Sequence, residues 1–268
     1  MNTGLLYLVT QLLRCKAHMK ADSNRYYSGT SGLNLPVPNK SFYPPEFQEK
    51  SRLSYYSFLF NSIEINSSFY KLPFAATVQK WVESVPPDFR FTFKVWKEIT
   101  HAKSLSFNDD DVIRFLQAVQ PAAGKKGCLL LQFPPGLKRE NTRQLDRLLS
   151  LLAEHNSEPK WNIALEFRDS SWYNETCFGL VKDYGASVVM HDKPASAWFE
   201  QDPEADFIYL RFHGINGDYK GSYPDDFLSE FSDYISSWRE QGKIIFVYFN
   251  NTRGDSVQNL MKLNRLCL

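Results

Sequence analysis

The chain has 268 residues, 43% of them hydrophobic and 23% charged, and its 31 Lys plus Arg against 30 Asp plus Glu leave a formal net charge of +1. That balance argues against a strongly basic nucleic-acid coat, and 21 Phe with 14 Tyr argue against disorder. A chain of this length buries roughly 75% of its unfolded surface, so it needs no disulfide or metal staple to hold a core.

The first 25 residues read as an extension ahead of a domain over 26–268. The apolar stretch Leu5–Leu13 is too short to cross a bilayer. It follows no basic segment and precedes no small-residue cleavage site, so a cytoplasmic protein with no membrane partner is expected. Cys15, Cys128, Cys177 and Cys267 form no Cys-x-x-Cys pair, and reduced thiols with neither disulfide nor zinc are the expectation.

From Tyr26 onward one rhythm repeats. A strand over Tyr26–Gly29 precedes a helix over Pro45–Phe60, Ser62–Asn66 precedes Ala76–Val85, and Arg90–Val95 precedes Asp109–Val119, where Asn108 is a good N-cap before an acidic first turn. The strand Cys128–Phe133 is followed by Asn141–His155, with Leu145, Leu148, Leu149 and Leu152 at helical spacing. Next come the strand Ile163–Phe167 with the helix Asn174–Tyr184, and the strand Ser187–His191. The stretch Lys193–Asp206 has two prolines and little periodicity, so the helix after the sixth strand is weak or missing. The strands Ile208–Phe212 and Ile244–Phe249 take the helices Asp225–Gln241 and Ser256–Leu266. This alternation predicts an α/β fold, a single (β/α)8 TIM-like barrel. The rival, a doubly wound open sheet, would carry a glycine-rich first turn, and Gly29-Thr-Ser-Gly32 is too short for it.

Side chains alternate along a strand, so the phase of the polar residues matters. Glu64 and Asn66, Lys94, Gln132, Glu166 and Arg168, Arg211 and His213, and Asn250 all oppose the apolar phase of their strands and sit near C-terminal strand ends. There barrel enzymes build their sites. Each residue alone fits a satisfied polar filling equally well. Together, so many buried charges are costly unless paired or liganded.

Glu64 and Glu166 could form the acid/base pair of a glycosidase, but structural ion pairs with Arg168 and Lys94 explain them as well. His101, His191 and His213 with Asp192 lack any metal-ligand spacing, so no metal is expected. No phosphate loop, nucleophile elbow or cofactor motif occurs, and the cofactor stays unknown. What remains is a cationic mouth. Lys94, Arg168 and Arg211 would hold a small anionic or sugar-phosphate-like ligand, Arg211 as its bidentate anchor. Glu64, His101, Glu166 and His213 would exchange protons, with His213 near the rim as acceptor. Asn66, Gln132, Asn250 and Asn251 complete the expected ligand contacts, Tyr70 and Trp172 are candidates for stacking, and Phe69 reads as core. The competing functions are a nucleic-acid-processing or nucleic-acid-binding barrel and a non-catalytic barrel for a ligand or protein partner.

Glu64-Ile-Asn-Ser-Ser-Phe-Tyr70, Phe93-Lys-Val-Trp-Lys-Glu-Ile-Thr-His101, Leu131-Gln-Phe-Pro-Pro135, Glu166-Phe-Arg-Asp-Ser-Ser-Trp172, Arg211-Phe-His-Gly214 and Tyr248-Phe-Asn-Asn251 resemble the strand-end motifs of the YecE-like family, domain of unknown function 72. Gly29-Thr-Ser-Gly32 and Phe42-Tyr-Pro44 extend the resemblance, which runs from about Tyr26 to the C-terminus. It implies a TIM-like barrel and brings no established reaction. The chain departs at Leu33, where members of that family usually carry Trp, and in the loop Asn34–Lys40 with Pro36 and Pro38.

Overall fold

The strand β1 (Tyr26–Thr30) leads through two single 3-10 turns to α1 (Arg52–Leu59). The helix expected over Pro45–Phe60 starts late because Ser51 caps it, its hydroxyl accepting from the Ser54 N–H at 3.0 Å. The next strand, β2 (Ser62–Ile65), is followed by the one-turn α2 (Ser67–Tyr70) and by α3 (Ala75–Glu83). Then come β3 (Arg90–Lys94), the one-turn α4 (Lys97–Thr100) and α5 (Asp109–Val119), with Asn108 capping α5 at the Asp110 N–H. Two strand–helix units follow: β4 (Lys126–Gln132) with α6 (Thr142–His155), and β5 (Asn162–Glu166) with α7 (Glu175–Asp183). The computed structural model describes residues 25–267. The expected extension, with Leu5–Leu13 and Cys15, lies outside the described residues apart from Arg25.

The sixth strand is split. One piece, β6 (Ser187–Val188), pairs with β5, and the other, β7 (Met190–His191), pairs with β8 (Phe207–Phe212). Val189 lies between them and donates its N–H to the Leu165 carbonyl at 2.9 Å. Residues 192–206 form no helix, as the weak periodicity predicted. They fold back to bridge Trp198 to His191 and leave a pocket of about 320 Å³ lined by Met190, Trp198, Phe199, Leu210, Phe212 and Phe231. The chain finishes with α8 (Asp225–Glu240), β9 (Ile244–Phe249) and α9 (Ser256–Leu266).

Hydrogen bonding runs β1-β9-β8-β7 in one parallel sheet and β2-β3-β4-β5-β6 in the other. The split sixth strand joins the sheets on one side. On the other, Ser31 and Glu64 form a single parallel bridge and the Gly32 N–H donates to the Glu64 carbonyl at 2.8 Å. Close approach here needs Gly29, because a Cβ on it would lie 2.1 Å from the Ser62 carbonyl oxygen. Asn61 clips the same seam, accepting from the Ser28 N–H at 2.9 Å and donating to the Tyr26 carbonyl at 2.8 Å. The product is an α/β TIM-like barrel.

Alternation divides the core in two. Ile63, Phe91, Leu131, Leu165, Leu210 and Val247 face outward and pack with the helices, including the leucine stripe of α6. Tyr27, Cys128, Leu130, Ala164, Tyr209 and Tyr248 face inward and fill the lower barrel. Cys128, Cys177 and Cys267 are free and buried. The polar layer that completes the inward rows lies above this apolar plug.

Candidate functional site

The plug passes into polar chemistry through two tyrosines. Tyr248 bonds Ser62 Oγ at 2.6 Å and Thr92 Oγ1 at 2.7 Å, while Tyr209 donates to Glu64 Oε2. Above them Arg211 joins two strands at once: Nη2 lies 2.8 Å from Glu64 Oε1, and Nη1 lies 2.9 Å from Glu166 Oε2. Glu166 is also paired with Arg168. Burial is the largest single influence and works to raise both carboxyls, but the neighbouring charges and hydrogen bonds, Arg211 foremost, together outweigh it. The hydrogen bond from Tyr209 helps hold Glu64 below the usual carboxylate range, and Arg168 helps hold Glu166 well below it. Both are therefore ionised, and neither can serve as the protonated carboxyl a glycosidase uses to release its leaving group.

His213 is fully buried beneath the rim where the sequence placed it. Its Nε2 faces Arg211 Nη1 and Arg168 Nη2, each at 3.0 Å, and its Nδ1 lies 3.2 Å from Asp192 Oδ1. Two guanidiniums need an acceptor and the carboxylate needs a donor, so this set matches Nε2 as acceptor and Nδ1 as donor. Tyr223 donates to the other Asp192 oxygen and accepts from the Gly214 N–H. Gly214 has φ +94°, and a Cβ on it would meet the Lys220 carbonyl at 2.4 Å, so it makes room for the chain's own loop. His191 lies beside His213 with ring centres 5.6 Å apart. Its Nδ1 accepts from the Lys193 N–H at 3.2 Å and its Nε2 faces the Phe167 carbonyl at 3.1 Å.

The rim is more open. Lys94 Nζ lies 2.8 Å from Gln132 Oε1 and 4.0 Å from the ring centre of Phe69. Phe69 therefore belongs to the mouth and not to the core reading its sequence suggested. His101 packs edge-on against the same ring at 4.8 Å and bonds Thr100 Oγ1 through Nδ1 at 3.0 Å. Burial first, then Lys94 and Arg168, push the His101 pKa down to about 4, so its imidazole is neutral at pH 7. Lys94 is pushed down to about 8 by burial and next by the charge of Arg211. Asn66 Oδ1 and Arg168 Nε are buried with no hydrogen-bond partner among the described residues, and such atoms in a folded protein call for an explanation.

Three expected contacts fall elsewhere. Trp172 is fully buried, stacked on Phe167 at 4.8 Å with its N–H on the Leu137 carbonyl, so neither face is open to a ligand. Asn251 is also fully buried and donates to the Gly221 carbonyl and to Asn259 Oδ1, both at 3.0 Å, away from the charged layer. Tyr70 stands 71% exposed, edge-on to Phe69. Asn250 is nearly buried at the end of β9, its N–H donating to the Phe212 carbonyl. Tyr209 and Tyr223 join the site without a role in the sequence reading, and Asp192, weighed there only as a metal ligand, contacts His213 instead. Tyr209 was legible, since it shares the phase of Arg211 and His213. Among the described residues, no group of three His, Cys, Asp or Glu side chains is arranged to hold a metal ion. No helix among them is long and apolar enough to cross a membrane.

Fold and site together define an α/β barrel with a charge-filled C-terminal mouth. The chain belongs to the family described as "Protein of unknown function DUF72", whose pattern matches residues 27–267. UPF0759 protein YunF of Bacillus subtilis is 26% identical over 266 aligned positions, covering 87% of this chain and 91% of that protein. UPF0759 protein YecE of Escherichia coli is 39% identical over 82 residues, 31% of this chain and 30% of that one. A crystal structure of a DUF72 family protein from Enterococcus faecalis superposes with a TM-score of 0.75 at 20% identity, covering 90% of this chain and 95% of that chain. Another, from Thermotoga maritima, gives 0.70 at 22% identity, covering 90% and 98%. These similarities carry the fold and no reaction.

Proposed function

We propose that this barrel is an enzyme acting on a small anionic or sugar-phosphate-like molecule at its C-terminal mouth. The observation that carries the reading is Lys94. The other two cations of the layer, Arg168 and Arg211, are neutralised by Glu166 and Glu64, whereas Lys94 rests on a neutral amide and an aromatic ring. An anion seated there would supply the missing charge. Arg168 Nε and the Asn66 amide would add neighbouring contacts, with Gln132 and Asn250 as further walls. Arg211 serves as the keystone of the floor, holding Glu64 and Glu166, and the anchoring passes to Lys94 and Arg168. Of the proton-exchanging candidates, Glu64, Glu166 and His213 are tied into the floor. His101 stands at the rim with no partner on Nε2 among the described residues, which favours it as the group that meets substrate.

Thermal melting with a panel of phosphate, sugar phosphates, carboxylates and neutral sugars tests this. A ligand at 100 times its dissociation constant adds about 2.7 kcal/mol. Anionic members should raise the melting temperature of the wild-type chain and lose that effect in Lys94→Gln. A panel in which neutral sugars act as strongly as anions, or in which nothing acts, would sink the reading. The runner-up, a nucleic-acid site, draws on the exposed ring of Tyr70. A single-stranded oligonucleotide whose binding collapses steeply with rising salt would favour it instead.

A further inference from the structure

Two other lysines of this barrel are used as staples. Lys125 Nζ donates to the Val82 and Val85 carbonyls at 2.6 Å each, and Lys243 Nζ donates to those of Pro203 and Ala205 at 2.6 and 3.1 Å. Their donors are consumed by backbone at the foot of the fold. Lys94 differs on each count. It ends β3 at the mouth, where its backbone is pinned: the Ser68 hydroxyl bridges the Ile65 and Lys94 carbonyls at 2.8 and 2.7 Å, locking α2 onto the strand end. Its one hydrogen-bond acceptor is the Gln132 amide oxygen, its stem lies along Phe69, and Arg168 and Arg211 are its cationic neighbours. Desolvation and then the adjacent guanidiniums favour the free amine and outweigh the opposite pull of Glu166 and Glu64, and with no carboxylate bonded to Nζ this is an environment that activates a lysine as a nucleophile.

We propose that Lys94 is a Schiff-base lysine and that the anion of the preceding section is a carbonyl compound, an α-oxo acid or a phosphorylated aldehyde or ketone. This rests on the anion reading and deepens it. The Nζ lone pair forms a bond to the carbonyl carbon as the C=O π bond opens, and the oxygen then leaves as water while C=N forms. Atoms and charge balance without an oxidant or reductant: the three N–H protons of the ammonium become one iminium N–H and the two hydrogens of the water. Two protons must pass from nitrogen to oxygen, the first freeing the lone pair for attack, and His101, neutral and packed on the same Phe69 ring, is placed to relay them. Arg168 is left to grip the carboxylate or phosphate. The groups facing Lys94 are Glu64 from β2, His101 from the loop after β3, Glu166 and Arg168 at the end of β5, and Arg211 from β8.

The test is reductive trapping on the full chain. Glyoxylate, pyruvate and glyceraldehyde 3-phosphate are each incubated with protein and cyanoborohydride, and adducts are mapped by peptide mass spectrometry. One of the three should label Lys94 at least about tenfold faster than exposed lysines such as Lys97, since Lys94, brought to about 8, is part free amine near neutral pH. The rate should climb as pH rises through about 8, the pKa to which burial and Arg211 bring Lys94. Lys94→Arg should abolish the fast adduct. Absence of an adduct at Lys94, or equal labelling of Lys97, overturns the proposal. Melting curves with the same probes keep the two readings apart. Stabilisation by the probes without an adduct at Lys94 leaves an anion site and removes the Schiff base, and neither effect removes both.

Discussion

Arg211 lies side-on to Glu64, with Nη2 2.8 Å from Oε1 and Nε 3.1 Å from Oε2, both side chains shut off from solvent. That guanidinium also holds Glu166, so its loss strands Glu64 without a cation and leaves Glu166 to Arg168 alone. Breaking a buried pair from one side costs about 3–5 kcal/mol. Arg211→Met should therefore lower the melting temperature by about 6–20 °C for a chain of this size. Arg211→Lys should fall in between, keeping the charge and losing the fork. Adding Glu64→Gln to Arg211→Met should recover part of the loss, and strictly additive costs would mean the pair is not coupled.

The seam between β1 and β2 rests on an absent side chain. Gly29→Ala pushes a methyl into the Ser62 carbonyl, which belongs to the strand that carries Glu64. Overpacking of this kind costs about 1–3 kcal/mol. Chemical denaturation should report it as a lower midpoint with unchanged slope, and a neutral Gly29→Ala would show that the strands part without penalty.

Stability should fall with acid in two stages. Burial brings the folded His191 pKa down to about 4 from the 6.5 of an exposed ring. Below 6.5 the unfolded chain takes up a proton that the folded chain refuses, so stability is full above 6.5 and drains away down to about 4. The complete difference is about 3 kcal/mol as an upper figure. Glu64 and Glu166 work in a lower window: their folded pKa values lie below 4.5, so their contribution disappears only as pH falls beneath that value. Urea midpoints at pH 7, 5.5 and 4.5 should decline in wild type and decline less in His191→Gln, where His101, also held at about 4, supplies the remainder. Parallel declines in both would clear His191 of the effect.

Anion binding should draw a proton from solution. At about pH 8 Lys94 is part amine, and an anion against Nζ raises its proton affinity. Calorimetry with sulfate, in buffers of different ionisation enthalpy, should give heats that vary with buffer near pH 8 and converge near pH 6. Equal heats at both would place the anion away from Lys94.

The inward phase of Glu64, Glu166, Arg168, Arg211 and His213 was legible because a strand has period two and a barrel turns that period into one interior. Partners were not legible, since cross-strand neighbours depend on register. The Arg211–Glu64 pair joins residues 147 positions apart, and the Asp192–His213 contact needs the strand break at Val189. Trp172 was misread from its place after a strand end, since its burial depends on the loop that lays Leu137 across it. Tyr223 sits in an aperiodic loop and sent no signal. The late start of α1 was written in Ser51, a capping residue hidden behind Pro45.

The connection after β7 gives the barrel one panel of a different material. Elsewhere a helix, with its own ladder of backbone hydrogen bonds, shields each pair of strands. Here the shield is a row of rings: Phe199 meets Phe231, Tyr234 and Trp238, and Trp198 meets Tyr173 and Phe178. Such a panel loosens ring by ring without unravelling a helix, and local opening starts where backbone bonding is sparse. His191 and Asp192 line the pocket behind it, and Asp192 also steadies His213. One carboxylate thus stands with one side toward the charged interior and the other toward the ring-lined pocket, so the packing of that wall bears directly on a residue that holds His213.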